Sequence, residues 1–146
     1  LGTAGISNYS LRTNDGSSIP SGANSIDFVY SYIVLMHIPS INIFRSYLSE
    51  TFRVLRPGGL AQLFYGRYSR MSWKARIRWS LSGYREISFT NANEDRKKLT
   101  NLLITRRIAH KIAREIGFNV LDSGSTSKLD GTGKGTQNYV TLQVPT

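Results

Sequence analysis

The sequence predicts an α/β fold in which a mostly parallel sheet is closed by a final antiparallel strand. Between residues 26 and 65, an apolar run, a helical pattern and a second apolar run follow one another, which is the order of a strand–helix–strand unit. A second observation is the alternating stretch from Tyr139 to Val144 near the end of the chain. The length of 146 residues fits one domain with a single core.

The elements that precede the strand–helix–strand unit are short. Asn8 to Thr13 alternates apolar and polar residues, which predicts a short strand. Asn14-Asp15-Gly16 and Ser21 to Asn24 are turn clusters. Ile26 to Leu35 is rich in β-branched and aromatic residues and poor in charge, so we expect a strand that is covered on both faces.

The crossover helix is expected to begin after Ser40, whose hydroxyl can cap it. Apolar residues then recur at spacings of three and four, which predicts one stripe against the sheet: Phe44, Tyr47, Leu48, Phe52 and Leu55. Pro57-Gly58-Gly59 is expected to end the helix, with glycine just past the last helical residue. Leu60 to Tyr65 predicts the next strand.

The second half of the chain contains one clear helical pattern. Asn93-Glu94-Asp95 resembles a helix start, and an apolar stripe from Ile104 to Ile116 predicts a helix that Gly117 stops. The pattern is irregular between Gly66 and Asn93. The remaining predicted elements are a strand from Phe118 to Asp122, a polar loop from Gly124 to Gln137 and the closing strand.

The composition limits the classes of function. The chain has no cysteine and only two distant histidines, so we predict no disulfide and no metal site. No apolar run approaches the roughly 20 residues of a membrane-spanning helix, and we expect a cytoplasmic protein. The net charge of +10 is uneven, because residues 67–115 contain 13 basic and four acidic residues. Such asymmetry bears on partners or solubility and does not define a fold.

Five short motifs occur in a characteristic order: Asp15-Gly16, Ile19-Pro20, Asn24-Ser25-Ile26-Asp27, Val34 to Ile38 and Arg53 to Gly59. In this order they resemble the C-terminal part of class I S-adenosylmethionine-dependent methyltransferases of the small type 11 kind. The resemblance implies the later strands of a Rossmann-like methyltransferase sheet, with S-adenosylmethionine as cofactor and methyl transfer as the reaction. It covers most of residues 1–146, with a variable basic and aromatic insert at about 67–100.

The family's glycine-rich cofactor loop has no counterpart in this sequence. Gly2 and Gly5 do not follow a predicted strand, and no acidic residue precedes Asp15. The resemblance therefore implies a partial domain, a fragment that lacks the carboxypropyl and ribose portions of the cofactor site. We expect the chain alone to bind the cofactor weakly and its methyl transfer to be impaired.

The resemblance implies four cofactor-binding residues. Asp15 stands where the family has a carboxylate that accepts a hydrogen bond from the adenine amino group, with the next backbone amide at a ring nitrogen. Gly16 would permit close backbone approach there. Ser31 and Tyr32 would line the methionine end at the mouth of the sheet. From the residues alone, Asp15-Gly16 could equally be a turn, and Ser31-Tyr32 could equally be the end of a strand.

His37 is the candidate catalytic base, because a near-neutral pKa suits proton abstraction from a hydroxyl group. Its apolar neighbours Met36 and Ile38 favour a structural or pocket-lining histidine instead. A dedicated acid–base pair is not required for this chemistry, since the sulfonium is already activated and the protein chiefly aligns donor and acceptor.

The basic, aromatic insert is open to several interpretations. It could be a substrate lid, with Tyr68, Arg70 and Trp73 as substrate-binding residues. Its cations and rings could instead bind nucleic acid, lie on an anionic membrane surface or form a solvated helix face. The alternative function is a non-catalytic anion- or nucleic-acid-binding remnant that uses residues 67–115. The motifs do not specify the methyl acceptor, whether a small molecule or a macromolecule.

Overall fold

The structure is a computed structural model that describes residues 8–68, 82–86, 102–127 and 134–146. The elements in these ranges are, in chain order, β1 (Ile26–Ser31), a 3-10 turn (Val34–Met36), α1 (Ile41–Val54), β2 (Leu55–Gly66), β3 (Tyr84–Glu86), β4 (Leu102–Ile104), α2 (Arg106–Ile116), β5 (Asn119–Ser127) and β6 (Lys134–Gln143).

Four of the strands form the main sheet, in the order β1-β2-β6-β5. β1 and β2 are parallel and are connected through α1, whereas β6 runs antiparallel to both of its neighbours. β3 and β4 form a separate antiparallel pair. The predicted α/β class, with a parallel strand–helix–strand unit and a closing antiparallel strand, is therefore confirmed.

The core lies between this sheet and the two helices. Phe44 and Leu48 of α1, Ile112 of α2, and Leu63 and Tyr65 of β2 are each no more than 3% exposed. The residues of β2 alternate between this covered face and the opposite face, as strand geometry requires. The apolar stripes of both helices thus bury one face of the sheet.

The first helix begins as predicted but ends differently. The Ser40 hydroxyl accepts a hydrogen bond from the Ile43 amide at 3.3 Å. The prediction that Pro57-Gly58-Gly59 caps the helix end is wrong, because β2 already begins at Leu55. These glycines pair with the end of the chain instead: the Gly58 amide donates to the Val144 carbonyl, and the Val144 amide donates to Gly59, each at 3.0 Å.

The second helix is shorter than its apolar stripe suggests. It begins at Arg106, where the Thr105 hydroxyl accepts a hydrogen bond from the Ile108 amide at 3.4 Å. The assignment of Ile104 to the helix is wrong, since this residue is buried in β4 and pairs with β3. Gly117, at φ +117°, ends the helix as predicted. The proposed start at residues 93–95 lies outside the described residues.

Two strand predictions near the start of the chain are wrong. Asn8 to Thr13 is exposed and belongs to no strand, because within the described ranges it has no neighbouring strand to pair with. β1 ends at Ser31 and does not continue to Leu35, which lies in the 3-10 turn. The expected cover on both faces is also wrong, since Phe28 is 54% and Tyr30 56% exposed. In the part described, both helices pack on the other face of the sheet.

The predicted polar loop from residue 124 to residue 137 is largely strand. Gly124 to Ser127 belong to β5, and Lys134 to Gln137 belong to β6. Two polar side chains of this part of β5 bind β6: the Ser125 hydroxyl donates to Asn138 Oδ1 at 2.8 Å, and the Thr126 hydroxyl donates to the Gln137 carbonyl at 3.2 Å. Polarity alone was therefore a poor guide to this segment. The predicted strands at Leu60 to Tyr65, Phe118 to Asp122 and Tyr139 to Val144 are found as parts of longer strands, but β5 begins one residue after Phe118 and β6 ends one residue before Val144.

Candidate functional site

The carboxyl ends of the two parallel strands place Ser31 and Tyr32 at one edge of the sheet. Ser31 pairs with Leu63 of β2 in the parallel ladder. The Tyr32 ring, half-exposed, stands edge-on to Phe64, with ring centroids 5.1 Å apart. Open α/β sheets bind their ligands at this edge. The structure thus brings the predicted Ser31 and Tyr32 to a location suited to a ligand.

The chain turns sharply after Tyr32 into the 3-10 segment. Ile33 has φ +70°, a conformation that β-branched residues rarely adopt. Leu35 and Met36 are buried directly afterwards, and the Gln137 amide group contacts the Met36 sulfur at 3.1 Å. The strand on one side and these buried anchors on the other impose the turn. Strained backbone of this kind is often found at functional sites.

Tyr32 belongs to a row of aromatic side chains on the open face of the sheet. Tyr30 stacks against it at 6.5 Å, and Phe64 continues the row to Tyr139 at 5.7 Å. Tyr139 lies over Gly124, where a Cβ would be only 2.6 Å from its ring. The row was not predicted, although the alternation of Phe28 and Tyr30 in β1 with Tyr32 just after it is a signal that could have revealed it.

Asp15 organises its own loop. Its carboxylate accepts hydrogen bonds from the Ser17 and Ser18 amides at 2.8 and 2.7 Å and from both serine hydroxyls at 3.1 and 2.9 Å. These bonds, led by the one from the Ser18 amide, hold the pKa of Asp15 far below its ordinary value. The carboxylate is exposed, and among the described residues Oδ2 accepts a hydrogen bond from the Ser18 hydroxyl alone. It therefore keeps capacity for another donor.

The role of Gly16 stays a prediction. Its φ of +85° favours glycine, and no described residue beyond its chain neighbours lies within 4 Å of the position a Cβ would take. Its amide, however, donates to Asn14 Oδ1 within the turn. If this amide is to donate to a ring nitrogen of adenine, as expected, its hydrogen bond to Asn14 must break.

The loop that carries Asp15 lies against α1. The Tyr47 hydroxyl of α1 donates a hydrogen bond to Asn14 Oδ1 at 3.3 Å. On the same helix, Glu50 accepts a hydrogen bond from the Ile19 amide and Arg53 donates one to the Ile19 carbonyl. The four predicted cofactor residues thus form two groups, one on this loop and one at the end of β1. Glu50 and Arg53 were missed from the sequence, although a Glu-x-x-Arg spacing on a helix is a recognisable pairing signal.

His37 follows the 3-10 turn and is half-buried. Its backbone amide donates to the Val34 carbonyl at 3.0 Å, which closes the turn. Its role as a catalytic base stays a prediction. Within the described ranges, no three or more histidine, cysteine or acidic side chains are grouped in a way that could hold a metal ion.

Of the predicted substrate-binding residues, the structure describes only Tyr68. Its hydroxyl is buried and has no hydrogen-bond partner in the described part of the chain. Arg70 and Trp73 lie outside the described residues. The role of these three residues therefore stays a prediction, as does the extent of the insert at 67–100.

An open groove of about 510 Å³ lies elsewhere, at the amino end of β1. Ser10, Arg12 and Ile26 are among its lining residues. It lies at the opposite end of β1 from Ser31, and none of the predicted site residues is among its lining residues. Across the residues described, the structure has no helix with the length and apolar character to cross a bilayer.

The first part of the chain matches a family of known proteins. Residues 3–63 match the sequence profile of the family described as "Methyltransferase domain". This range includes Asp15, Gly16, Ser31 and Tyr32, together with β1, α1 and most of β2. No curated protein sequence matches the chain.

Solved structures share the fold. A SAM-dependent methyltransferase from Methanosarcina mazei is 16% identical, with a TM-score of 0.63 over 92% of this chain and 66% of that protein. A 1,6-didemethyltoxoflavin-N1-methyltransferase from Burkholderia thailandensis, solved with S-adenosylhomocysteine, is 14% identical, with a TM-score of 0.60 over 90% of this chain and 48% of that one. The [4+2]-cyclase SpnF is 14% identical, with a TM-score of 0.59 over 92% and 55%.

These findings confirm the resemblance to class I methyltransferases and the Rossmann-like fold. At such low identities the structures establish the fold alone, and the cyclase illustrates that one fold supports different reactions. The chain spans 66%, 48% and 55% of the lengths of the three proteins. The comparisons give no support to the alternative of a non-catalytic nucleic-acid-binding remnant.

Proposed function

We propose that this chain, which carries a methyltransferase-domain match and the corresponding fold, supplies part of the S-adenosylmethionine site of an enzyme that transfers a methyl group to an oxygen, nitrogen or carbon nucleophile. The observation that carries the proposal is the location of Ser31 and Tyr32 at the carboxyl edge of a parallel β–α–β unit within the matched range. A cytoplasmic location stays a prediction from composition.

Each end of the cofactor has candidate residues. Asp15 would accept a hydrogen bond from the adenine amino group, since its Oδ2 keeps acceptor capacity, and the space beside Gly16 admits a flat ring. Ser31 would bind near the methionine end through its hydroxyl. Tyr32 would pack its half-exposed ring beside the reacting atoms.

The cofactor supplies an activated methyl group, so the protein's own task is alignment and exclusion of water. Tyr32 suits that task because its ring is held between Tyr30 and Phe64 rather than free in solution. His37, half-buried next to the 3-10 turn, could accept a proton from an acceptor hydroxyl. Neither role requires a metal ion.

We expect S-adenosylhomocysteine, added to the ¹⁵N-labelled chain, to shift the backbone amide signals of Gly16 to Ser18 and of Ser31 to Ile33. The expected dissociation constant lies between roughly 10 µM and 1 mM, because only part of the site is predicted in this chain. The measurement is a two-dimensional NMR titration at constant pH and salt, with ATP as a control for non-specific anion binding to a chain of net charge +10.

A matched pair of variants sharpens this titration. Asp15→Asn replaces the acceptor oxygen proposed for adenine and is expected to weaken binding several-fold. Asp27→Asn makes the same chemical change at an exposed aspartate that pairs with Arg56, and it should leave binding unchanged. If millimolar S-adenosylhomocysteine shifts neither amide group, or if ATP shifts them equally, the proposed function is wrong.

A further inference from the structure

We propose that Glu50 and Arg53 of α1 are positioning residues of the cofactor site, which hold the loop of Asp15 and Gly16 in its binding geometry without contacting the cofactor. The proposal rests on the proposed function. It assigns a role in cofactor binding to two residues that are not among the four predicted cofactor-binding residues.

Arg53 binds the loop through both ends of its guanidinium group. Nη1 donates to the Ser21 carbonyl and Nη2 to the Ile19 carbonyl, each at 3.0 Å. The backbone of the same arginine accepts a hydrogen bond from the Asn24 amide, also at 3.0 Å. One helical residue thus fixes three points of the segment that joins the Asp15 loop to β1.

Glu50 completes the clamp. It accepts two hydrogen bonds of 2.7 Å from Arg53, one from Nε and one from Nη2, which is the paired geometry that only arginine offers a carboxylate. Glu50 also accepts a hydrogen bond from the Ile19 amide at 3.0 Å. The amide and the carbonyl of Ile19 are therefore both held by the pair.

The clamp reaches the proposed adenine-binding residue through a short chain of bonds. Ile19 directly follows Ser18, whose amide and hydroxyl bind the Asp15 carboxylate at 2.7 and 2.9 Å. The loop belongs to no strand in the described part of the chain, so side-chain bonds such as these must set its place. Displacement of Ile19 would move Ser18 and, with it, the Asp15 carboxylate.

The pair is better protected than an ordinary surface ion pair. The Glu50 side chain is 22% and the Arg53 side chain 39% exposed, whereas the side chains of the Arg45–Glu115 pair, which joins α1 to α2, are 48% and 40% exposed. Hydrogen bonds from Arg53, and then from the Ile19 amide, lower the pKa of Glu50 to about 2. Because this pKa is depressed, the clamp is intact above the ordinary pKa of 4.5 and is lost as the pH falls towards 2.

Arg53→Met is expected to weaken S-adenosylhomocysteine binding about ten-fold, which corresponds to about 1.4 kcal/mol. It should also shift the Ser17 and Ser18 amide signals in the free chain while it leaves those of Ser31 and Tyr32 in place. Arg53→Lys keeps the charge but loses the paired geometry, and we expect an intermediate effect. Arg45→Met is the control. Arg45 lies on the same helix but contacts Glu115 instead of the loop, so this variant should change the affinity less than two-fold.

The NMR titration described above measures every variant and separates the outcomes. If Arg53→Met folds and has the same affinity and the same Ser18 amide signal as Arg45→Met, the positioning role is wrong while the proposed function survives. A wild-type chain that binds no S-adenosylhomocysteine would overturn both. If Arg53→Met does not fold, Arg53→Lys and Glu50→Gln provide milder tests, and wild-type affinity in both would likewise overturn the proposal.

Discussion

Phe44→Ala is expected to destabilise the chain by about 3–5 kcal/mol, the largest effect of any substitution considered. Phe44 is fully buried in α1 and stands edge-on to Tyr65, with ring centroids 5.8 Å apart. Its removal would leave a cavity at the contact between the helix and β2 that surrounding side chains fill only in part. The loss is a large share of the 5–15 kcal/mol that stabilises a typical domain.

Urea unfolding, followed by circular dichroism, measures this effect as a lowered midpoint at an unchanged slope. Phe28→Ala is the matched control, because it makes the same change on the open face of the sheet, where Phe28 is already exposed. We expect a loss below about 1 kcal/mol for this control. Equal losses for the two variants would mean that the face of the sheet assigned to the core is wrong.

Tyr65→Phe is expected to stabilise the chain by about 1–3 kcal/mol. Tyr65 is fully buried, and its hydroxyl has no hydrogen-bond partner among the described residues. Burial raises the pKa of this hydroxyl well above its ordinary value. The substitution removes the unpaired polar group and leaves the ring in contact with Phe44.

Tyr139→Phe provides the comparison for this second prediction. The Tyr139 hydroxyl is hydrogen-bonded to Asp122 at 3.1 Å on the exposed side of the sheet, so its removal should cost up to about 1 kcal/mol. The same urea experiment measures both variants. A destabilised Tyr65→Phe would show that the buried hydroxyl has a partner, such as an ordered water molecule.

The fold class was accessible from the sequence because local and global signals agree in the β1–α1–β2 unit. The Ser40 cap and the apolar stripe predict α1, and the apolar run from Ile26 predicts a strand, although β1 ends at Ser31 and has one exposed face. The end of α1 was not accessible, because Pro57-Gly58-Gly59 suits a helix stop and a strand bulge equally well. The choice between the two depends on Val144, which is distant in sequence and pairs with both glycines.

Long-range pairing also explains the other errors. The polar residues 124–127 and 134–137 have the composition of a loop, and they become strand because β5 and β6 pair along their length. Ile104 fits the stripe of a helix, yet it pairs with Tyr84 from a segment whose pattern predicted no regular structure. In both cases tertiary contacts override local propensity.

The candidate site residues come from local motifs, and their roles stay predictions. The motifs that resemble the family point to Asp15, Gly16, Ser31 and Tyr32, because each motif is local in sequence. The clamp of Glu50 and Arg53 joins residues more than 30 positions from the loop they bind, so only the folded chain brings them together. The row of aromatic rings similarly spans three strands.

The structure of the chain in complex with S-adenosylhomocysteine, from crystals or from intermolecular NMR contacts, tests the central claim most directly. We expect the adenine amino group within about 3 Å of the Asp15 carboxylate and the homocysteine end beside Ser31 and Tyr32. A ligand bound instead in the groove lined by Ser10 and Arg12, or with its adenine remote from Asp15, would contradict the account.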